Sequence, residues 1–173
     1  MNTEPQLEEE LSRPGEAAVE LMRRLPGDIV ILGVAGKMGI SLGRMAARAA
    51  AEAGVRKRVV GVSRFSDPSA REALEAAGVE TVRCDLLDEA AVQSLPEAEN
   101  VIYMVGRKFG TAGSEALTWA VNTVVPAFTA GRFSSSRTVV FSTGCVYPLV
   151  DLPGPGCEED AAPAPVGEYA QAC

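Results

Sequence analysis

The 173-residue sequence contains no histidine. That absence removes serine–histidine triads, cysteine–histidine dyads and histidine-ligated metals. Cysteine is scarce. Cys84, Cys145, Cys157 and Cys173 stand in no metal-ligand spacing, so free thiols and no metal are expected. No apolar run approaches the roughly 20 residues of a membrane span. Met1 to Glu10 is acidic and lacks an apolar core segment, so no secretory signal is read there and a cytoplasmic setting is expected. An excess of base is missing too. The net charge is −7, distributed as −3 over residues 1–26, −5 over residues 151–173 and +1 between them. A near-neutral middle gives DNA no basic patch to grip, while an anionic cofactor meets no long-range repulsion there.

What is present suits one packed domain: 47% of the residues are hydrophobic and 23% charged. Residues 1–26 read as a polar leader and one helix over about 14–25. Ser12 can cap it, Pro14 suits its first turn, and Ala18, Leu21, Met22 and Leu25 share a face. Ile29-Val30-Ile31-Leu32 is an uninterrupted apolar run, the pattern of a strand buried on both faces of a parallel sheet. Helices are then expected over Lys37–Ala53, Ser69–Ala77, Asp88–Leu95 and Ser114–Ala130, the last kinked at Pro126. In the Lys37–Ala53 helix, Arg44, Arg48 and Glu52 share a face at intervals of four. Strands are expected over Val59–Val62, Val79–Cys84, Val101–Val105 and Thr138–Ser142. Pro148–Pro165 is a loop, and a last helix begins near Val166. Strands alternating with helices on short connections predict an α/β fold: a Rossmann-type, doubly wound parallel sheet in three layers, occupying residues 27–173.

Chemistry concentrates first at Gly33-Val-Ala-Gly36-Lys37-Met38-Gly39, between the first strand and the first helix of the sheet. In such a turn the first glycine permits the tight exit from the strand. The second lets a pyrophosphate approach bare backbone, and the third lets helix and strand pack closely. The helix N-terminus adds unpaired N–H groups and partial positive charge. A strand-to-helix turn that needs glycine for backbone reasons alone is the bland alternative. At the end of the second strand, where a carboxylate would hold the ribose 2′-hydroxyl of NAD, stand Ser63 and Arg64. These suit a 2′-phosphate, so NADP is expected in preference to NAD. A solvated surface arginine is the alternative at position 64.

Several landmarks together resemble the extended short-chain dehydrogenase/reductase family, the NAD-dependent epimerase/dehydratases. They are the glycine spacing, Cys84-Asp85-Leu86 after the third strand and Val101-Ile-Tyr-Met-Val105-Gly106. Asn122, Phe141-Ser-Thr143-Gly-Cys-Val-Tyr147 and the approach from Glu159 to Tyr169 complete the set. The resemblance implies that Asp85 faces the adenine, with Leu86 beside it. It places Val105 and Gly106 beneath the cofactor and Asn122 in the helix after the fourth strand. It makes Tyr169 the general acid/base of a hydride-transfer reaction, with Thr143 its hydroxyl partner; Tyr147 reads as a packing residue. A sugar or nucleotide-sugar substrate and a homodimer through the helices after strands four and five are further implications. The sequence departs from the pattern where a lysine should follow Tyr169 by four residues: Cys173 stands there. A thiol supplies no positive charge to lower the tyrosine's proton affinity, unless Arg107 or Lys108 does so. Two readings therefore stay open: an NAD(P)-dependent oxidoreductase, epimerase or dehydratase, incomplete before any substrate lobe, and a non-catalytic dinucleotide-binding sensor or scaffold.

Overall fold

The computed structural model describes residues 3–110 and 112–173. Five parallel strands, β1 (Ile29–Leu32), β2 (Val59–Ser63), β3 (Glu80–Arg83), β4 (Asn100–Tyr103) and β5 (Arg137–Val140), form one sheet in the order β3-β2-β1-β4-β5. The helices are α1 (Glu4–Leu11), α2 (Glu16–Arg24), α3 (Gly39–Ala53), α4 (Pro68–Ala76), α5 (Glu89–Gln93), α6 (Glu115–Trp119), α7 (Val125–Arg132) and α8 (Glu168–Ala172). This is the expected doubly wound sheet. Strand order reverses between β1 and β4, which opens a crevice at their carboxyl ends.

The apolar run of β1 divides between two cores. Ile29 and Ile31 pack with Met22 of α2, Ala46, Ala49 and Ala50 of α3, and Leu74 of α4. Val30 and Leu32 pack on the opposite face with Val92 of α5, Leu95 just after it, and Val125 and Phe133 of the α7 region. All four side chains are buried, so neither face of β1 tolerates a polar residue. At the amino ends of the strands, the Asn100 amide donates to the carbonyls of Pro26 (2.9 Å) and Asp28 (3.0 Å). Lys57 donates to the Leu25 carbonyl at 2.7 Å, which closes the end of α2.

Three expectations need correction. The polar leader holds a helix, α1, with Thr3 as its N-cap and Pro5 in its first turn. None of its residues is buried, so no apolar stripe advertises it. It is held by charge to α3: Glu9 receives a bidentate pair from Arg48 (2.8 and 3.0 Å), and Glu8 accepts from Ser41 (3.0 Å). Ser12 ends α1 instead of starting α2, whose N-cap is Gly15. Leu21 lies exposed, and Val19 takes the inward place beside Ala18, Met22 and Leu25. Finally, Pro126 sits in the first turn of α7, where the expected long helix is interrupted. Lacking an N–H and pressing on the carbonyl four residues back, it is absorbed by a π-helical turn over Ala120–Val124, in which the Val125 N–H reaches the Ala120 carbonyl. The edge strand β5 exposes all four of its residues, with Val139 at 60% and Val140 at 59% of their full accessibility.

Between β1 and α3 the chain is locked by one side chain. Val34 is fully buried. A Cβ at Gly61 of β2 would lie 2.8 Å from its methyl group, one at Gly43 of α3 would lie 3.2 Å away, and one at Gly39 would fall 2.3 Å from its carbonyl oxygen. Three glycines thus make the seat of Val34. Gly61→Ala should destabilise the fold by about 1–3 kcal/mol through overpacking, and Val34→Ala by about 2 kcal/mol through lost burial. The double variant should lose at least about 1 kcal/mol less than the sum, because each change relieves the other. Urea unfolding of the four proteins measures this coupling, and strict additivity would contradict the seat.

Candidate dinucleotide site

β1 delivers the chain to Gly33, whose φ of +84° and closeness to the Met104 backbone (3.1 Å from an added Cβ) admit only glycine without strain. The Gly33 N–H donates to the Val62 carbonyl at 2.9 Å, tying the turn to β2. The Gly36 N–H returns to the Gly33 carbonyl (3.0 Å) and the Gly39 N–H to the Gly36 carbonyl (2.9 Å). Among the described residues, the N–H groups of Lys37 and Met38 have no acceptor, and they sit at the start of the 15-residue α3. A Cβ on Gly36 would meet only the Gly33 carbonyl, at 3.2 Å, and would otherwise project into open space. Bare backbone, two free donors and a helix N-terminus are what a pyrophosphate requires, so the residues present fit a dinucleotide.

Beside this turn a cleft of about 820 Å³ opens and extends over β4, β5 and α7. Its lining includes Gly33, Gly36, Lys37, Met38 and Gly39, then Val105, Gly106 and Asn122, and Tyr169. Ser63, Arg64, Asp85, Leu86 and Thr143 do not line it. Ser63 and Arg64 stand at the carboxyl end of β2, with Arg64 exposed. The next residue, Phe65, is the only described non-glycine residue with positive φ (+47°), and its ring is buried under α3 and α4. That anchored, strained residue fixes where Arg64 leaves the strand. Asp85 spends its carboxylate on the Leu87 N–H (3.1 Å), capping its own turn, and Leu86 is core. Asn122 sits in the π-helical turn, where both ends of its amide are used by one residue. It accepts from the Arg107 N–H at 2.8 Å and donates to the Arg107 carbonyl at 3.2 Å.

Thr143 caps the 3-10 turn Gly144–Val146 by accepting from the Cys145 N–H (3.2 Å). Its hydroxyl also acts on the Tyr169 phenol, favouring the ionised form. The short helix α8 is docked through buried Ala170 and Ala172 and a hydrogen bond from the Trp119 indole to Glu168. Burial pushes the Tyr169 phenol above its ordinary range; the Thr143 hydroxyl opposes this, while Cys173 and Cys145 add to it. At neutral pH the phenol therefore holds its proton and is set to donate. The Lys108 ammonium lies 5.7 Å from the centre of the Tyr169 ring.

One feature of the site was not read from the sequence, nor was the position of another. The Tyr103 hydroxyl is buried beside the cleft without a partner among the described residues, and its proton is held tightly by desolvation and by nearby Cys173. A tyrosine following Val101 and Ile102 was its only signal. Lys108 was noted as a source of charge, but its position depends on a loop that no periodicity describes.

A family model described as the NAD dependent epimerase/dehydratase family matches residues 29–172. No curated protein matches the chain. Solved structures similar to it include the ADP-L-glycero-D-manno-heptose-6-epimerase of Helicobacter pylori, at 15% identity and a TM-score of 0.67, with 94% of this chain and 49% of that one covered. The Bordetella bronchiseptica enzyme WbmG, solved with NAD and UDP, is 20% identical with a TM-score of 0.62 over 83% of this chain and 46% of its own. The UDP-N-acetylglucosamine 4-epimerase of Methanobrevibacter ruminantium, solved with UDP-N-acetylmuramic acid, is 16% identical with a TM-score of 0.66, covering 84% and 46%. The chain thus spans about half the length of these structures. Because the family model extends from the first residue of β1 to the last of α8, the chain belongs to the NAD dependent epimerase/dehydratase family.

Proposed function

We propose that this chain binds a nicotinamide dinucleotide in its cleft and forms the cofactor-binding half of an enzyme acting on a sugar or nucleotide-sugar. The observation that carries the reading is one cleft whose lining includes both the bare-backbone glycine turn and Tyr169, the phenol that the Thr143 hydroxyl influences. The nucleotide-sugar substrates named for the H. pylori and M. ruminantium epimerases support the substrate class.

Each residue has a separable task. The N–H groups of Lys37 and Met38 would hold the pyrophosphate, and Gly36 leaves it room. Ser63 and Arg64 would receive a 2′-phosphate, which favours NADP over NAD. Asn122 fixes the loop that follows β4 by clamping Arg107. The bound dinucleotide supplies hydride acceptance and donation. Tyr169 would move the accompanying proton at its hydroxyl oxygen, with the Thr143 hydroxyl orienting both that oxygen and a substrate oxygen. A second reading, a dinucleotide-binding sensor or scaffold without turnover, is favoured by one observation: the Cys173 thiol beside Tyr169 raises the phenol instead of lowering it.

Isothermal titration with NADP⁺ and NAD⁺ separates these roles. NADP⁺ should bind more tightly than NAD⁺. Arg64→Ala should weaken NADP⁺ about tenfold, the loss of one charge-assisted contact, and leave NAD⁺ unchanged. Gly36→Ala should weaken both with little loss of stability. Equal loss of both cofactors in Arg64→Ala would remove the 2′-phosphate role. For the chemistry, nicotinamide absorbance with nucleotide-sugars should report turnover that falls about 10²–10⁴-fold in Tyr169→Phe while dinucleotide affinity holds. Binding without turnover in the unaltered protein would favour the sensor or scaffold instead.

A further inference from the structure

Tyr169 faces a mixed set of groups. Cys173 approaches its phenol from the same helix, Thr143 and Cys145 from the 3-10 turn, and Lys108 from the loop after β4. Glu168, its neighbour in sequence, is bound to the Trp119 indole. Resting on the reading of Tyr169 as the acid/base, we propose that Lys108 is the positioning residue that supplies positive charge to the ionised tyrosine, from a loop outside the tyrosine's own helix. The thiol one turn along α8 cannot do so, because it is neutral when protonated and repels a phenolate when ionised.

The geometry selects Lys108 over its neighbour. The Arg107 guanidinium is folded back onto the Gly110 carbonyl at 2.6 Å, and its main chain is held at both ends by Asn122. That clamp fixes the loop one residue before Lys108, which leaves the lysine stem as the free element. Its ammonium lies between two rings, 5.7 Å from the centre of Tyr169 and 5.9 Å from that of Phe109, and it lines the cleft with both. A four-carbon stem with rotatable donors can carry the ammonium from the ring face to the phenol oxygen while the loop stays in place. The chain of cause is traceable: Pro126 forces the π-helical turn, that turn carries Asn122, and Asn122 fixes the base of the loop that carries Lys108. In the step itself the phenol oxygen gives its proton to the substrate oxygen or to solvent. The negative charge left behind is met by the ammonium, which keeps all its protons.

The test reads the phenol directly and needs no substrate. Protein labelled with ¹³C at Cζ of tyrosine gives signals for the three tyrosines, and Tyr169→Phe identifies that of Tyr169. Lys108→Gln should raise the titration midpoint of Tyr169 by about one pH unit and leave Tyr103 and Tyr147 unmoved. Lys108→Arg should keep the midpoint near that of the unaltered protein, and adding Cys173→Lys to Lys108→Gln should bring it back down. An unchanged midpoint in Lys108→Gln would overturn the proposal, as would equal displacement of all three tyrosines. Failure of the acid/base reading would look different: Tyr169 would still respond to Lys108, but turnover would be indifferent to Tyr169→Phe.

Discussion

The site depends on the seat of Val34. Its side chain fills the space left by Gly43 on α3 and Gly61 on β2, and its carbonyl lies against Gly39. With Val34 fixed, the backbone on either side has few options: Gly33 must turn with positive φ, and Gly36 must face the cleft. The phosphate turn is thus held from below by packing, and its upper side is free for a ligand. A loop held only by its own hydrogen bonds would have to be ordered by the ligand, at a cost in affinity. Two of the seat's glycines, Gly43 and Gly61, lie outside the familiar spacing and are structural partners of it.

Much of this was legible in the sequence. The four apolar residues Ile29–Leu32, the glycine spacing and the alternation of elements point to the doubly wound parallel sheet found, because each is a local pattern with a local cause. What escaped has a long-range cause. The Arg44 and Arg48 face of α3 looks self-contained at intervals of four, yet Arg48 reaches back 39 residues to Glu9. A helix such as α1, held by ion pairs and burying no side chain of its own, leaves no hydrophobic signal. Pro126 was visible, but its effect was displaced upstream, since the carbonyl it crowds belongs to Asn122. At the site, Gly33, Gly36, Gly39, Asn122 and Tyr169 were legible by type and order. The double use of the Asn122 amide was not, because it is decided by a loop conformation.

The acidic ends and the site are electrically distinct. Glu8 and Glu9 are engaged by Ser41 and Arg48, and hydrogen bonding from Arg48 holds the Glu9 carboxyl below its ordinary range. Around Tyr169 stand the Thr143 hydroxyl, the Cys145 and Cys173 thiols and the Lys108 ammonium. With no histidine in the chain, proton movement near neutral pH falls to groups whose ordinary pKa lies well above it, so the placing of a single positive charge has a large effect on which form Tyr169 takes.

β5 pairs with β4 on one side, and among the described residues nothing pairs with its other side. Val139, Val140 and Phe141 are exposed there. A bare parallel edge of this kind is a template: an extended chain of suitable pattern can add to it as the next strand, whether or not it belongs there. A segment added there would pair with backbone groups of β5 that β4 does not use, and would cover Val139 and Val140 at the same time.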